Sequence, residues 1–238
     1  TDLTFSTYND RWKERDPNWK PAAYQKEQDP IRGVFAYVAD GLLQPGEEAP
    51  AHQPQLLPGQ VKLKNINGDD KLNEEDMVLI GRNDPKFIFG FNNNFSYKNF
   101  DLNIYMYGQV GKIAGANSYY DAWGSYGNRI KLGQNVPVSF KDAWSSDNQT
   151  STRPSFIESA YGTGDLFLQK ISFLRIRNIT LGYTVPISKS ICNRLRVYAD
   201  INNPCVWTNW KGQDPETDSN TNAYPNVTSF SIGVDISF

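Results

Sequence analysis

The sequence predicts an all-β fold: about seven antiparallel strands forming part of the wall of a large transmembrane β-barrel, with long extracellular loops. Three observations predict it. Several segments alternate strictly between apolar and polar residues, the signature of a strand with one greasy face. The polar face of those segments is built from Asn, Ser, Gly, Asp, Tyr and Arg, where a soluble sandwich facing bulk water would favour Lys and Glu. The connections are either very short or very long, as in barrels with tight periplasmic turns and extended outer loops.

Five segments carry the alternation. In 87–97, Phe87, Phe89, Phe91, Phe95 and Tyr97 share a face opposite Gly90, Asn92, Asn94 and Ser96. In 100–109, Phe100, Leu102, Ile104 and Met106 alternate with Asp101, Asn103, Tyr105 and Tyr107. In 194–201, Leu195, Val197, Ala199 and Ile201 oppose Arg194, Arg196, Tyr198 and Asp200. The last segment, 229–238, sets Phe230, Ile232, Val234, Ile236 and Phe238 against Ser229, Ser231, Gly233, Asp235 and Ser237. The fifth, 171–184, changes phase. Leu174 and Ile176 lie on even positions, but Ile179, Leu181 and Tyr183 lie on odd ones, which predicts a β-bulge near 177–178. Segments 2–9 and 32–39 are weaker candidates. Lys98-Asn99 predicts a tight hairpin, and 185–193 is a short turn. Residues 41–86, 110–170 and 202–228 read as long polar loops, too long for a compact soluble domain.

Composition agrees and excludes other classes. Mean hydropathy is −0.58, and no apolar run is long enough for a transmembrane helix. A barrel strand needs only about ten residues, with every second one facing lipid. Aromatic residues make up 13% of the chain, which suits interfacial girdles and also suits a carbohydrate-binding β-sandwich. Net charge is −2 without a basic block, which argues against nucleic acid. Cys192 and Cys205 flank the 194–201 strand, too far apart to bridge, so two free thiols are expected. His52 reads as a solvated loop residue. No serine-hydrolase, zinc-protease or phosphate-loop motif occurs, so no catalytic residue is assigned and no cofactor is required. The first residues have neither the basic nor the apolar region of a signal peptide.

Four stretches together resemble one family. The run from Phe173 to Pro186 (FLRIRNITLGYTVP), the run from Gly90 to Leu102 (GFNNNFSYKNFDL), the pair LRVY at 195–198 with KGQDPE at 211–216, and NINGDDKLNEED at 65–76 are similar, in order, to segments of SusC/RagA-type TonB-linked outer-membrane proteins. The resemblance implies the C-terminal portion of a TonB-dependent barrel in the outer membrane. Signal peptide, TonB box, plug and earlier strands would lie outside these residues, so the first strand would need a neighbour. It further implies TonB-dependent import of an oligomeric nutrient, glycan or oligopeptide, with a SusD-like surface lipoprotein as lid. The implied partners are therefore the rest of the barrel, its plug, TonB, that lipoprotein and outer-membrane lipid. A secreted carbohydrate-binding sandwich and an unpowered porin-like channel are the competing readings.

Three groups of residues are candidate sites. The 65–76 loop has EF-hand spacing, with Asn65, Asn67, Asp69, the Lys71 carbonyl, Asn73 and Asp76 at the ligand positions. Asp70 stands at the sixth position, where glycine is favoured, and only Asp69 and Asp76 bring charge by register, so weak Ca²⁺ or Mg²⁺ binding is expected. The alternative is an Asx-rich loop held by its own hydrogen bonds. Tyr119, Tyr120, Trp123, Tyr126, Trp144, Trp207 and Trp210 form a possible loop platform for ligand or partner, the alternative being packing between loops. Phe230, Ile232, Val234, Ile236 and Phe238 resemble the C-terminal signal read by the outer-membrane assembly machinery.

Overall fold

The computed structural model describes residues 1–7, 9–14, 16, 18, 20–115, 132–133, 135–136, 138–157, 159–187, 192–217 and 223–238. Its ten strands are β1 (Asp2–Thr7), β2 (Gly33–Ala36), β3 (Ala39–Leu42), β4 (Val61–Leu63), β5 (Val78–Arg82), β6 (Phe87–Tyr97), β7 (Phe100–Gly115), β8 (Leu168–Val185), β9 (Arg194–Thr208) and β10 (Ser229–Ser237). Six of them form one sheet in the order β1-β6-β7-β8-β9-β10, and every pair is antiparallel.

Register decides the faces. Phe95 pairs with Leu102, Leu102 with Leu181, Leu181 with Ala199, and Ala199 with Ile232. A period-two pattern kept in phase across five strands puts all the apolar alternates on one side. That side is not a protein core. Leu181 is 50% exposed, Ile232 82% and Phe230 76%. Among the described residues no second sheet covers it, so the two-sheet sandwich is set aside. Aromatic residues mark both ends of the band. Tyr97, Phe100 and Tyr183 share the rung beside the short turns, with the Phe100 and Tyr183 rings 4.7 Å apart. Phe5, Phe87 and Phe89 stand at the other end. Ten residue steps from Phe87 to Tyr97 cover about 34 Å along a strand, or about 26 Å at barrel tilt, which matches the hydrocarbon band of a barrel.

The bulge expected near 177–178 is present: Tyr105 pairs with Asn178 and Met106 with Ile176, so Arg177 is skipped. Two strands run further than their alternation suggested. β7 continues to Gly115 through a register shift at Gly111, whose φ of 82° suits only glycine. β9 continues to Thr208 past Asn203 (φ 49°) and Pro204. The proline is tolerated because it sits where Ile176 pairs with Cys205 and Asn178 with Asn202, leaving residues 203 and 204 outside the ladder. Cys205 is therefore inside β9 and not beyond it; both cysteines are free.

The weak segment 32–39 is not a wall strand. β2 pairs with β5 in a separate two-stranded sheet, and four residues are too few to span a membrane. The 41–86 stretch is likewise more than a loop, since it contains half of β3 and all of β4 and β5. Leu42, Val61 and Leu63 pack with Trp144 into a small core, reinforced by Tyr37, Tyr161 and Leu166. His52 is partly buried, its Nε2–H donating to the Leu63 carbonyl at 2.7 Å, so it is a structural residue of this unit and not a solvated one. Connections on the long-loop side thus fold into a cap with its own core.

Candidate functional site: the polar wall and its loop clasp

The face opposite the apolar band is polar and densely hydrogen-bonded. At mid-height it is an amide lattice. Asn103 Nδ2 donates to Asn92 Oδ1 at 2.8 Å and to Asn94 Oδ1 at 2.7 Å. Asn178 Nδ2 donates to Asn202 Oδ1 at 3.1 Å and to Asp200 at 3.3 Å, and the Thr180 hydroxyl joins Asn178 to Asp200. Side chains at i and i+2 share a face, and the neighbouring strand supplies the partner, so alternation alone assembles the lattice.

Nearer the short turns, charge crosses the wall. Arg196 on β9 donates from Nε and Nη2 to both oxygens of Asp101 on β7, at 3.0 and 2.6 Å, and from Nη1 to Asp235 on β10 at 3.0 Å. β8 lies between β7 and β9. The guanidinium passes over it at Gly182, where a Cβ would stand 2.5 Å from Arg196 Nε and from Asp101 Oδ1.

Nearer the long loops, β8 clasps Asp214, Glu216 and Asn226 of the connection that follows β9. Arg175 Nη2 donates to both carboxylate oxygens of Asp214, at 2.8 and 2.9 Å, and the guanidinium also meets Glu216. Arg175 is 2% exposed and Asp214 4%. The Glu216 and Asn226 amides donate to Asp214 at 2.9 and 3.0 Å. Burial works to raise the Asp214 carboxyl, but those two amides and the Arg175 guanidinium outweigh it and hold it below the usual carboxylate range. Next along β8, Arg177 donates to Asn203 at 3.0 Å and to Asn226 at 3.2 Å. Lying two residues apart, both arginines face the same side of β8, and Asp214 and Asn226 meet them there.

The expected site residues fare differently. In the 65–76 loop the hydrogen bonds are its own. Asn65 Oδ1 accepts from the Gly68 amide at 2.6 Å, Asn67 Oδ1 from Asp69 at 3.1 Å, Asp69 Oδ1 from Lys71 at 3.0 Å, and Asn73 Oδ1 from Glu75 at 2.7 Å. Asp76 is fully buried and accepts from Ile66 at 2.7 Å and Asn73 at 3.0 Å. Asp70 takes the left-handed conformation (φ 58°) that an EF-hand loop requires at its sixth position. Among the described residues, however, no group of three or more His, Cys, Asp or Glu side chains converges to hold a metal. The backbone path of a cation loop is present, and its Asn and Asp oxygens accept hydrogen bonds from the loop's own amides.

Trp144 is packed into the cap core, and Trp210 is buried against Ala114 and Ile171. Trp207 belongs to β9, not to a loop, and is 53% exposed beside Leu174. These three do not form a common platform. Tyr119, Tyr120, Trp123 and Tyr126 lie outside the described residues. Phe230, Ile232, Val234 and Ile236 lie exposed along β10, and Phe238 follows it, also exposed. The two charge clusters carried no assigned role in the sequence. The sequence signal for the first is opposite charge at inward positions of different strands, while the second pairs a strand arginine with loop carboxylates; their pairing depends on Gly182 and on the loop folding back.

An exposed apolar band with aromatic ends, a polar opposite face and a folded cap define a section of outer-membrane β-barrel wall. No family model matches the chain. Among curated proteins it is 27% identical to TonB-dependent receptor P3 of Formosa agariphila, over 90% of this chain and 23% of that protein. It is 26% identical to TonB-dependent receptor SusC of Bacteroides thetaiotaomicron, over 72% of this chain and 17% of that protein. The fold matches the RagAB peptide importer in its open-open state with a TM-score of 0.70, over 99% of this chain and 26% of that one, at 20% identity. It matches the RagAB peptide transporter at 0.67, over 89% and 23%, at 22% identity. In sequence and in fold the chain is thus similar to part of TonB-dependent receptors of the SusC and RagA type. It spans about a quarter of the length of the relatives it matches.

Proposed function

We propose that this chain is the C-terminal part of the barrel of a TonB-dependent importer that takes up an oligomeric nutrient, glycan or oligopeptide, beneath a SusD-like lipoprotein. The wall carries the reading: one continuous face of amides, hydroxyls and paired charges runs between the two ends of the apolar band. Such a face exchanges hydrogen bonds with a polar solute while the opposite face meets lipid. The likeness in fold to the RagAB peptide transporter and importer supports it. The cap built on β3 and β4 supplies a surface on which a lipoprotein lid can rest.

The test uses the whole receptor in its own cells. A deletion strain and its complemented parent are offered fluorescently labelled oligopeptides and oligosaccharides, with and without a protonophore. Uptake of one class is expected to vanish on deletion and on collapse of the proton gradient, and an affinity tag on the receptor is expected to co-purify a surface lipoprotein. Uptake that survives the protonophore would support the unpowered channel instead.

A further inference from the structure

We propose that the outer wall, just below the extracellular cap, holds an anionic membrane lipid, with an acyl chain in an apolar groove and its phosphate among lysines above. The groove arises on the rung where Phe89 pairs with Gly108 and Gly108 with Leu174, which in turn pairs with Trp207. Gly108 contributes no side chain, the Phe89 ring leans over it, and a hollow of about 360 Å³ is left, walled by Phe89, Val110, Leu174 and Trp207. It lies on the band face, shared with Met106 and Ile176 one rung nearer the short turns.

A second cleft of about 480 Å³ lies beside this hollow, with Asn209 lining both. The second cleft is basic: Arg153, Lys170 and Lys211 line it, with no carboxylate among its described lining residues. A further lysine converges on the same place. Lys86 and Lys170 both lie over Gly111, within 3.1 and 3.5 Å of where its Cβ would stand. Both are exposed, and neither side chain has an ion-pair partner among the described residues. The aliphatic stems of these two lysines share the ground over Gly111, so their charges add to those of the cleft and favour an anion there. The aromatic residues Phe87 and Trp207 place this junction at the membrane's outer interface. Apolar groove below and cations above is the complement of an acyl chain ending in a phosphate.

The experiment uses the full-length receptor in detergent, with native mass spectrometry as readout. The probes are phosphatidylglycerol, phosphatidylcholine of the same chains, and inorganic phosphate. The wild type is expected to retain phosphatidylglycerol over phosphatidylcholine. Lys170→Gln and Lys86→Gln should each lower that preference roughly five-fold. Trp207→Ala should lower retention of both lipids alike, and inorganic phosphate should displace neither. Heat-modifiable migration on gels confirms that each variant is folded. Equal retention of the two lipids by the wild type would overturn the proposal, as would indifference to both lysine substitutions. So would displacement by inorganic phosphate combined with no effect of Trp207→Ala, which would leave only an ion site.

Discussion

Gly182 carries no side chain at the point where Arg196 crosses β8 to reach Asp101, and the crossing depends on that vacancy. A methyl group there would meet the guanidinium and the carboxylate at 2.5 Å. Gly182→Ala is therefore expected to push the pair apart and to lower the stability of the whole receptor by about 1–3 kcal/mol, read from the urea midpoint in lipid vesicles. An unchanged midpoint would show that the arginine simply swings aside. Asp214 is the second residue with a measurable signature. Its folded carboxyl lies below the ordinary range, so its contribution is complete above the unfolded value and is lost as pH falls through the lowered one. The clasp should hold at neutral and mildly acidic pH and open only in stronger acid. A ¹⁹F resonance from fluorotryptophan at Trp210, assigned with Trp210→Phe, should report the opening. In Asp214→Asn the same resonance should already be altered at neutral pH.

At the scale of elements, the wall strands were legible because each shows lipid on one side and water on the other, and the period-two pattern records that directly. The phase change in β8 even located its bulge. Legibility failed where the pattern was interrupted by glycine or proline, at Gly111 and at Asn203-Pro204, so β7 and β9 ran on past their readable ends. It failed again in the cap. β3 and β4 are too short to show a period, and their core depends on Trp144, about a hundred residues away. The clasp residues were visible as letters, but only chain reversal brings Asp214 to Arg175. The 65–76 loop was legible in its backbone path, and its side-chain oxygens are engaged by the loop's own amides. Its shape rests on Asp76, so Asp76→Ala should cost about 1–3 kcal/mol by stranding the amides of Ile66 and Asn73. Millimolar Ca²⁺ or EDTA should leave unfolding of the wild type unchanged, and a calcium-dependent rise in stability would restore the loop as a metal site.

At the scale of the whole molecule, the sidedness of the sheet makes a sharper claim than its topology. Phe230 and Ser231 are adjacent in β10, yet one lies on the rung of Ile104, Ile179 and Ile201 and the other faces the polar lattice. Phe230→Arg should cost about 2–4 kcal/mol in a bilayer, as cationic side chains do at mid-depth, while Ser231→Arg should cost far less. Comparing the assembled fraction of the two variants in vesicles checks this, and equal loss would mean that the band does not face lipid.

Among the described residues, the outermost strands of the sheet, β1 and β10, are each paired on one flank only. Hydrocarbon offers no hydrogen bonds to the other flank, and a row of bare amides and carbonyls there is untenable. Each flank must be zipped to a further strand before the wall can sit in a bilayer. Expressed as an excised piece, the six-stranded sheet would recruit copies of itself and precipitate, so its biochemistry belongs to the closed ring.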